Sequence, residues 1–271
     1  MAIDDLISMR MTVPPPVTGD LAALDRPPSR LAILGQTLNI DRLAAFPPVE
    51  ALWLGDVNER QFKAVLPLID PLYLHLDGLR VADLSPLAGL SRLQALEIRW
   101  NTKVSDLAFL EALAGLRLLC LSHCPKLRDL SAIAALRELR ILELSGGMWS
   151  TLKPDTLAPL AALRNLQGLC LKSIRVGDRS LAPVARLTQL QELELSNQFP
   201  TEEYARLSVA LPHVHCPHFE PYLDMPGGGA GRRVMVTGSG KPVLTLPEDS
   251  VRLARYVQRF RELQDGFRGG R

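Results

Sequence analysis

The chain has 271 residues, 47% of them hydrophobic and 5% aromatic, so it can bury a sizeable and mainly aliphatic core. Its formal net charge of +2 gives no strong attraction to nucleic acid or acidic membranes, although residues 231–271 carry nine basic and four acidic side chains. The four cysteines form no CxxC pair and are too few for a disulfide scaffold.

The amino-terminal sequence MAIDDLISMRMTVPPP has two early acidic residues and no basic-then-apolar run, which argues against a secretory signal. No run of about 18 apolar residues is present, so no transmembrane helix is expected. We therefore expect a cytoplasmic protein whose cysteines are reduced. Secretion by a route that needs no amino-terminal signal is the alternative. Arginine outnumbers lysine by 25 to 6, a coding bias compatible with a bacterial source.

Residues 1–30 are rich in proline and turn-forming residues. They are expected to form either an irregular cap or a flexible tail. A cap is chemically reasonable, because the first unit of a repeat array would otherwise expose core leucines.

A motif of the form apolar-x-x-apolar-x-apolar recurs between residues 49 and 216, with a period near 23 residues. The last two apolar residues of each copy flank one variable residue, as a short strand with one buried face requires. The eight copies are VEALWL (49–54), IDPLYL (69–74), LQALEI (93–98), LRLLCL (116–121), LRILEL (139–144), LQGLCL (166–171), LQELEL (190–195) and a degenerate LPHVHC (211–216).

Between these strands, leucines recur every third residue, as in VADLSPLAGLSRLQAL (81–96). This spacing suits a tight helical turn with one side facing inward. A single strand-turn-helix unit cannot bury its apolar face, whereas stacked units share one core. The sequence therefore predicts an α/β solenoid.

These repeats resemble those of the leucine-rich-repeat family. They are most similar to the bacterial internalin-like or phosphatase-regulator-like subtype, whose repeats have about 22–24 residues. In that subtype a return such as DLSPLAGLSRL precedes the strand. The resemblance covers residues 31–220, about eight repeats. It implies a right-handed solenoid with a concave parallel sheet and short helical or 3-10 returns on the convex side.

The family often places asparagine three positions after the last apolar residue of the strand, where its amide bonds the turn backbone. Asn101 fits this position, and Cys124 is a known kind of substitute. We expect this ladder of buried polar side chains to be incomplete. The repeats at 49–74 and 144–171 are expected to be irregular. The strand around residues 72–76 could lie two residues later than the motif places it. The other ladder positions hold Val57, Asp77, Gly147, Ile174 and Gln198.

Residues 221–271 are expected to form a glycine-rich linker, a β-hairpin and an amphipathic helix that docks on the last repeat. The stretch VMVTGSGKPV (234–243) is similar to a phosphate-binding loop, but Met235 replaces the first glycine of GxxxxGK and Pro242 replaces the hydroxyl residue. A hairpin fits better, with Val234 and Val236 before the turn and Val243 and Thr245 after it.

The helix is expected to begin near 247–250 and to bury one apolar face. Its arginines, Arg252, Arg255, Arg259 and Arg261, read as a solvated face in preference to a nucleic-acid or membrane site. The buried face is Leu253, Val257, Phe260 and Leu263.

Other reactive side chains do not form a predicted site. His213 and His215 would face away from Cys216 on a strand, which disfavours a shared metal. Cys120 and Cys170 lie two repeats apart, beyond disulfide reach, with no neighbour in sequence that would activate them. We expect no catalytic motif, cofactor, metal or small-molecule substrate.

The variable residues between the inward leucines should form columns on the concave face, and such surfaces serve binding. The predicted central column contains Trp53 and Tyr73, and the next contains His75 and Arg99, a composition typical of binding hot spots. Trp100 lies beyond them and could instead fold over the adjacent turn. The predicted protein-binding residues are Trp53, Tyr73, His75, Glu97, Arg99, Trp100, Glu143, Lys172 and Glu194.

The sequence thus predicts a non-catalytic protein-protein interaction module that binds a protein partner through the concave face, as an adaptor, inhibitor or regulator. By resemblance, bacterial proteins of this kind include intracellular regulators and host-directed effectors. The alternative is an effector or enzyme accessory whose activity, or whose nucleic-acid or membrane contact, lies in the basic C-terminal appendage.

Overall fold

A computed structural model gives the structure of residues 13–26, 28–147, 150–226 and 231–270. Eight parallel strands form one sheet in which spatial order follows chain order. The strands are β1 (Arg30–Leu34), β2 (Ala51–Gly55), β3 (Tyr73–Asp77), β4 (Ala95–Arg99), β5 (Leu118–Ser122), β6 (Ile141–Ser145), β7 (Gly168–Lys172) and β8 (Glu192–Leu195).

The strands stack without stagger, so that Leu54, Leu76 and Ile98 lie side by side. These inward side chains are at most 1% exposed and belong to one continuous core. Because every copy of the motif supplies the same two inward residues, each strand continues the core of the strand before it. The predicted solenoid is confirmed.

Short helices return the chain between strands. Leu87, Leu110 and Ile133 come from three of them and are fully buried, as leucine spacing of three predicts. In the described ranges the 3-10 segments are Leu21–Ala23, Ile40–Ala45, Leu66–Leu68, Ser85–Gly89, Ala108–Ala112, Ser131–Ala135, Ala158–Ala162, Val184–Arg186 and Pro217–Phe219, and the α-helices are α1 (Glu59–Val65), α2 (Thr201–Ala210) and α3 (Ser250–Arg268).

The sequence analysis did not predict helix α1, which forms because of side-chain hydrogen bonds at its own first turn. The Asn58 side chain accepts a hydrogen bond from the Gln61 amide at 3.0 Å, and the Gln61 side chain accepts one from the Asn58 amide at 3.0 Å. This capping box satisfies two backbone donors at the start of the helix, so the second repeat begins its return as an α-helix.

Strand β3 lies two residues later than the IDPLYL motif predicts. This later position is the alternative that the sequence allowed for the strand around residues 72–76. Leu54 pairs with Leu76 and not with Leu74, so Trp53 pairs with His75. Tyr73 moves to the column beside Ala51. The later frame also places Leu79, which is 1% exposed, at the turn position that Asp77 was expected to fill.

The two ends of the sheet differ from the prediction. Strand β1 was not recognised as a repeat, whereas the copy at 211–216 forms a single bridge, between Glu192 and His215, and no strand. Pro212 and Pro217 in and beside this copy lack amide hydrogens, which removes ladder donors. Val214 and Cys216 remain buried, as predicted.

The described part of the amino-terminal segment lies along β1. The Thr18 amide donates to the Ala32 carbonyl at 2.8 Å, and Val17 bridges Ala32 in parallel. Leu21 is fully buried in the main core. Residues 1–12 of the proposed cap lie outside the described residues.

The polar ladder inside the turns is incomplete, as expected. Asn101 is fully buried, donates to the Val81 carbonyl at 2.9 Å, and accepts from the Lys103 and Val104 amides. At two other turns, Val57 and Ile174 fill the equivalent position without a polar group, and both are at most 1% exposed.

The appendage contains the predicted hairpin, β10 (Arg232–Val236) with β11 (Val243–Leu246), and an unpredicted third strand, β9 (Tyr222–Asp224), beside β10. Val234 pairs with Leu244, and both are fully buried. Val243 is 42% exposed. The second strand of the hairpin therefore turns Leu244 inward and not Val243, because register decides which face is buried. The linker residues 227–230 lie outside the described residues.

The turn that is similar to a phosphate loop is bonded to the last repeat. The Asn197 side chain donates to the Val236 carbonyl at 2.8 Å and accepts from the Gly238 amide at 2.6 Å. The Ser239 amide donates to the Phe199 carbonyl at 2.7 Å. The amides that would face a phosphate are thus used to attach the hairpin.

Helix α3 packs against α2. Phe260 is 1% exposed within the main core, Leu263 and Phe267 pack against that core, and the Gln264 amide donates to the Ser208 hydroxyl at 2.8 Å. Among the described helices, α3 included, none has both the length and the apolarity needed to cross a bilayer.

His218 lies buried beside α2, with its ring stacked on Tyr204 at a centroid distance of 5.4 Å. Within the described ranges neither ring nitrogen has a hydrogen-bond partner. Burial therefore lowers the pKa of His218 from its ordinary value.

We expect the stability of the protein to fall as the pH drops below about 6.5, the ordinary pKa of histidine. In the unfolded chain, His218 binds a proton near pH 6.5, whereas in the folded chain it binds one only at a lower pH. The contribution of neutral, buried His218 to the free energy of unfolding is therefore complete above pH 6.5, and it is lost as the pH falls toward the pKa of the folded state. Thermal unfolding between pH 8 and 5 measures this decline. His218→Phe should reduce the decline, and His213→Phe, at an exposed position, should not. An unchanged decline in His218→Phe would refute the assignment.

Candidate protein-interaction surface

The outward side chains of the strands form three columns across the concave face. In each column, neighbouring residues are paired in the sheet and lie about 4.8 Å apart. The first column is Arg30, Ala51, Tyr73, Ala95, Leu118, Ile141, Gly168 and Glu192; the second is Ala32, Trp53, His75, Glu97, Cys120, Glu143, Cys170 and Glu194; the third is Leu34, Gly55, Asp77, Arg99, Ser122, Ser145 and Lys172.

Trp53 and Tyr73 point outward from the sheet but are buried, at 7% and 1% exposure. Their ring centroids lie 5.1 Å apart, and both belong to a second apolar cluster with Ala51 and Ala95. The small alanines leave room for the large rings to lie across neighbouring strands. These two aromatic side chains are therefore part of the packing of this face.

Glu97 lies at the centre of a buried polar network. It is 1% exposed and accepts hydrogen bonds from the Tyr73 hydroxyl at 2.9 Å and from Arg99 Nε and Nη2 at 3.0 and 2.8 Å. Burial, reinforced by the Glu97 charge, raises the pKa of Tyr73 far above its usual range, so its hydroxyl stays a donor. His75 Nδ1 lies 3.9 Å from Glu97 Oε2. The structure thus brings four predicted site residues together.

A second hydrogen-bonded chain crosses β5 and β6. Because a carboxylate only accepts, the Ser145 hydroxyl donates to Glu143 Oε1 at 2.9 Å. The Ser122 and Ser145 Oγ atoms lie 2.9 Å apart, and Ser122 Oγ lies 2.9 Å from His123 Nδ1. Burial and the nearby Arg99 charge lower the pKa of His123, which keeps the imidazole neutral at physiological pH.

Trp100 is the exposed aromatic residue of this face. It follows β4 with φ of 53° and is 48% exposed, and its ring stacks on His123 at a centroid distance of 3.7 Å. The same left-handed conformation recurs at the first residue after β2, β3, β5 and β7, so it belongs to the turn of the repeat. Trp100 thus lies over the next turn, as the alternative suggested, and still presents half its surface to solvent.

The remaining predicted residues lie further along the face. Lys172 Nζ is 2.6 Å from Glu194 Oε2, and both side chains are more than half exposed. This ion pair is separated from the Glu97 network by β5 and β6. Trp149 lies outside the described residues.

A cleft of about 410 Å³ opens at the edge of this face, where strands β1–β3 end. Trp53, His75 and Trp100 line it, together with Asp56 and Asp77, which the sequence analysis missed. The IDPLYL motif places β3 two residues too early, and that position puts Asp77 inside the turn. Gly78, which has a left-handed backbone with φ of 65°, was the residue in the sequence that could have indicated the correct position of β3.

Comparison with solved structures identifies the fold. An internalin of Listeria monocytogenes is 22% identical over 69% of this chain and 47% of that chain, with a TM-score of 0.48. Internalin C2 of the same organism is 21% identical over 66% of this chain and 73% of that chain, with a TM-score of 0.51. A leucine-rich-repeat protein of Leptospira interrogans is 20% identical over 72% of this chain and 46% of that chain, with a TM-score of 0.49.

The matched part of this chain spans about half the length of the first and third of these proteins. No family model and no curated protein matches the chain. At these identities the likeness concerns the fold, and the match to internalin C2 supports it. The chain is a leucine-rich-repeat solenoid. Its repeats are of the internalin-like type.

Proposed function

We propose that the protein is a non-catalytic interaction module whose concave face, from β2 to β6, binds a protein partner and so serves as an adaptor, inhibitor or regulator. The observation that carries the proposal is Trp100, a half-exposed tryptophan held beside the cleft by its stack on His123. Tryptophan and arginine are the side chains most often found in binding hot spots.

Two further features support this face. The Glu97 network fixes the Arg99 guanidinium, and the His123 ring holds one face of Trp100. Side chains that are already ordered lose less conformational entropy when a partner binds. The face therefore offers a preorganised surface.

The alternative in the basic appendage has weaker support. Arg259 and Arg268 of α3 each lie within 4 Å of an acidic residue on the same helix. Arg252 lies within 4 Å of Asp249, which immediately precedes the helix. These pairs engage three of the arginines that phosphate binding would use, which favours the solvated-face interpretation.

Site-specific photo-crosslinking tests the proposal. A benzophenone amino acid is placed at Trp100 or, as a control of similar exposure on the appendage, at Val243, which are 48% and 42% exposed. In an extract of the source organism we expect discrete protein adducts at position 100 that excess unlabelled protein suppresses. Adducts at 243 with none at 100 would instead support the appendage.

A further inference from the structure

The cleft beside Trp100 exists because of a glycine. Asp56, Gly78 and Trp100 occupy equivalent positions after β2, β3 and β4, so Gly78 separates the other two side chains. A Cβ at Gly78 would lie 2.8 Å from Asp56 Oδ1, too close for an unshifted carboxylate. Without a side chain at 78, the Asp56 carboxylate lies over Gly78, which leaves a gap between it and the Trp100 indole. The backbone positions of Asp56 and Trp100 are two strand spacings apart, roughly 10 Å.

The sides of this gap are aromatic and acidic. Trp53 and Trp100 supply the aromatic surface, and Asp56 and Asp77 supply two exposed carboxylates. Among the described residues neither carboxylate forms an ion pair. Arg99, which pairs with Asp77 across the sheet, is bound to Glu97 by two hydrogen bonds. The cleft therefore presents two exposed carboxylates that have no ion-pair partner in the described ranges, beside indole rings.

The chain itself shows which group suits this surface. The Arg30 guanidinium lies 5.2 Å from the centroid of the Trp53 ring, within the range of a cation–π contact. A guanidinium can stack on an indole while its N–H groups donate to a carboxylate, a combination that an ammonium reproduces less well.

From this combination we propose that the cleft between Asp56 and Trp100 binds a cationic side chain of the partner, arginine in preference to lysine. The side chain stacks on the exposed face of Trp100 and donates to Asp56 and Asp77. The partner therefore presents an exposed arginine on an extended or protruding segment. This inference rests on the proposed function and adds the chemical class of the contact.

The test uses the full chain, labelled with 5-fluorotryptophan, and the peptide acetyl-Ala-Ala-Arg-Ala-Ala-amide. The Trp100 fluorine signal is assigned with Trp100→Phe. We expect a saturable shift of that signal with a Kd in the millimolar range, as suits a single side chain. The peptide with citrulline in place of arginine, which has nearly the same shape and no charge, should give no saturable shift.

Variants locate the contact. The double variant Asp56→Asn with Asp77→Asn should weaken peptide binding at least about ten-fold, whereas Glu138→Gln, an exposed carboxylate outside the strands, should leave it unchanged. Gly78→Asn, which tolerates a left-handed backbone, should also weaken binding because its side chain fills the gap. Far-UV circular dichroism confirms that each variant is folded.

The outcomes separate the two proposals. Equal binding of the arginine and citrulline peptides, or binding unaffected by the double variant, overturns the cationic contact. If adducts still form at position 100 in that case, concave-face binding stands alone. If the arginine peptide binds as expected but adducts form at position 243 and not at 100, the cleft has the proposed specificity and the partner docks elsewhere.

Discussion

Replacing Phe260 with alanine is expected to lower the free energy of unfolding by about 3–5 kcal/mol. The phenylalanine side chain is 1% exposed and links α3 to the main core at the end of the solenoid. Its removal takes away the buried ring and leaves a cavity that α2 and α3 can fill only in part. Urea unfolding, followed by circular dichroism and by tryptophan fluorescence, measures the change.

Val251→Ala on the same helix is the control, because Val251 is 72% exposed and should change stability by no more than about 0.5 kcal/mol. Equal effects of the two substitutions would show that α3 does not contribute to the core. Repeat arrays can unfold in parts. In a Trp149→Phe background, a circular dichroism transition that precedes the tryptophan transition would show that the C-terminal end opens first, because Trp53 and Trp100 lie in the first half of the array.

Replacing Arg99 with methionine should cost about 3 kcal/mol, because it removes two hydrogen bonds and the opposite charge from a carboxylate that is 1% exposed. Lys172→Met is the matched control. It breaks an ion pair whose side chains are both more than half exposed, so it should cost no more than about 1 kcal/mol. Chemical unfolding at one pH and salt concentration compares the two.

The second substitution Glu97→Gln identifies the mechanism. If the loss in Arg99→Met comes from an uncompensated buried charge, removing that charge should recover much of the stability. A double variant that is less stable than Arg99→Met would show instead that Glu97 acts through its other hydrogen bonds, including the one from Tyr73.

The repeat period was sufficient to predict the solenoid, because each strand buries the same two positions whatever the variable residues are. It was not sufficient to set the frame of β3, where Leu72, Leu74 and Leu76 fit two registers equally well in sequence. The helical start at Asn58 and Gln61 depends on side-chain hydrogen bonds, which apolar periodicity does not report.

The site was predictable only in part for the same reason. Strand phase correctly directs Trp53 and Tyr73 outward. Their burial depends on Ala51 and Ala95 in neighbouring repeats and so on an exact register. Asp77 was missed because placing β3 two residues early assigned this residue to the turn interior. The cleft was missed because it depends on Gly78 lying between Asp56 and Trp100, which also requires the correct position of β3.

The hydrogen bonds of Asn197 have a consequence for how this array can change in length. Both ends of that side-chain amide are occupied by the hairpin, so another unit stacked on the last repeat would compete with the hairpin for this position. A duplication placed after β8 would displace the hairpin and α3 together. Copies inserted between β4 and β6, where each strand meets nearly the same neighbours, would preserve both ends. We therefore expect length variants of this protein to gain or lose units from the middle.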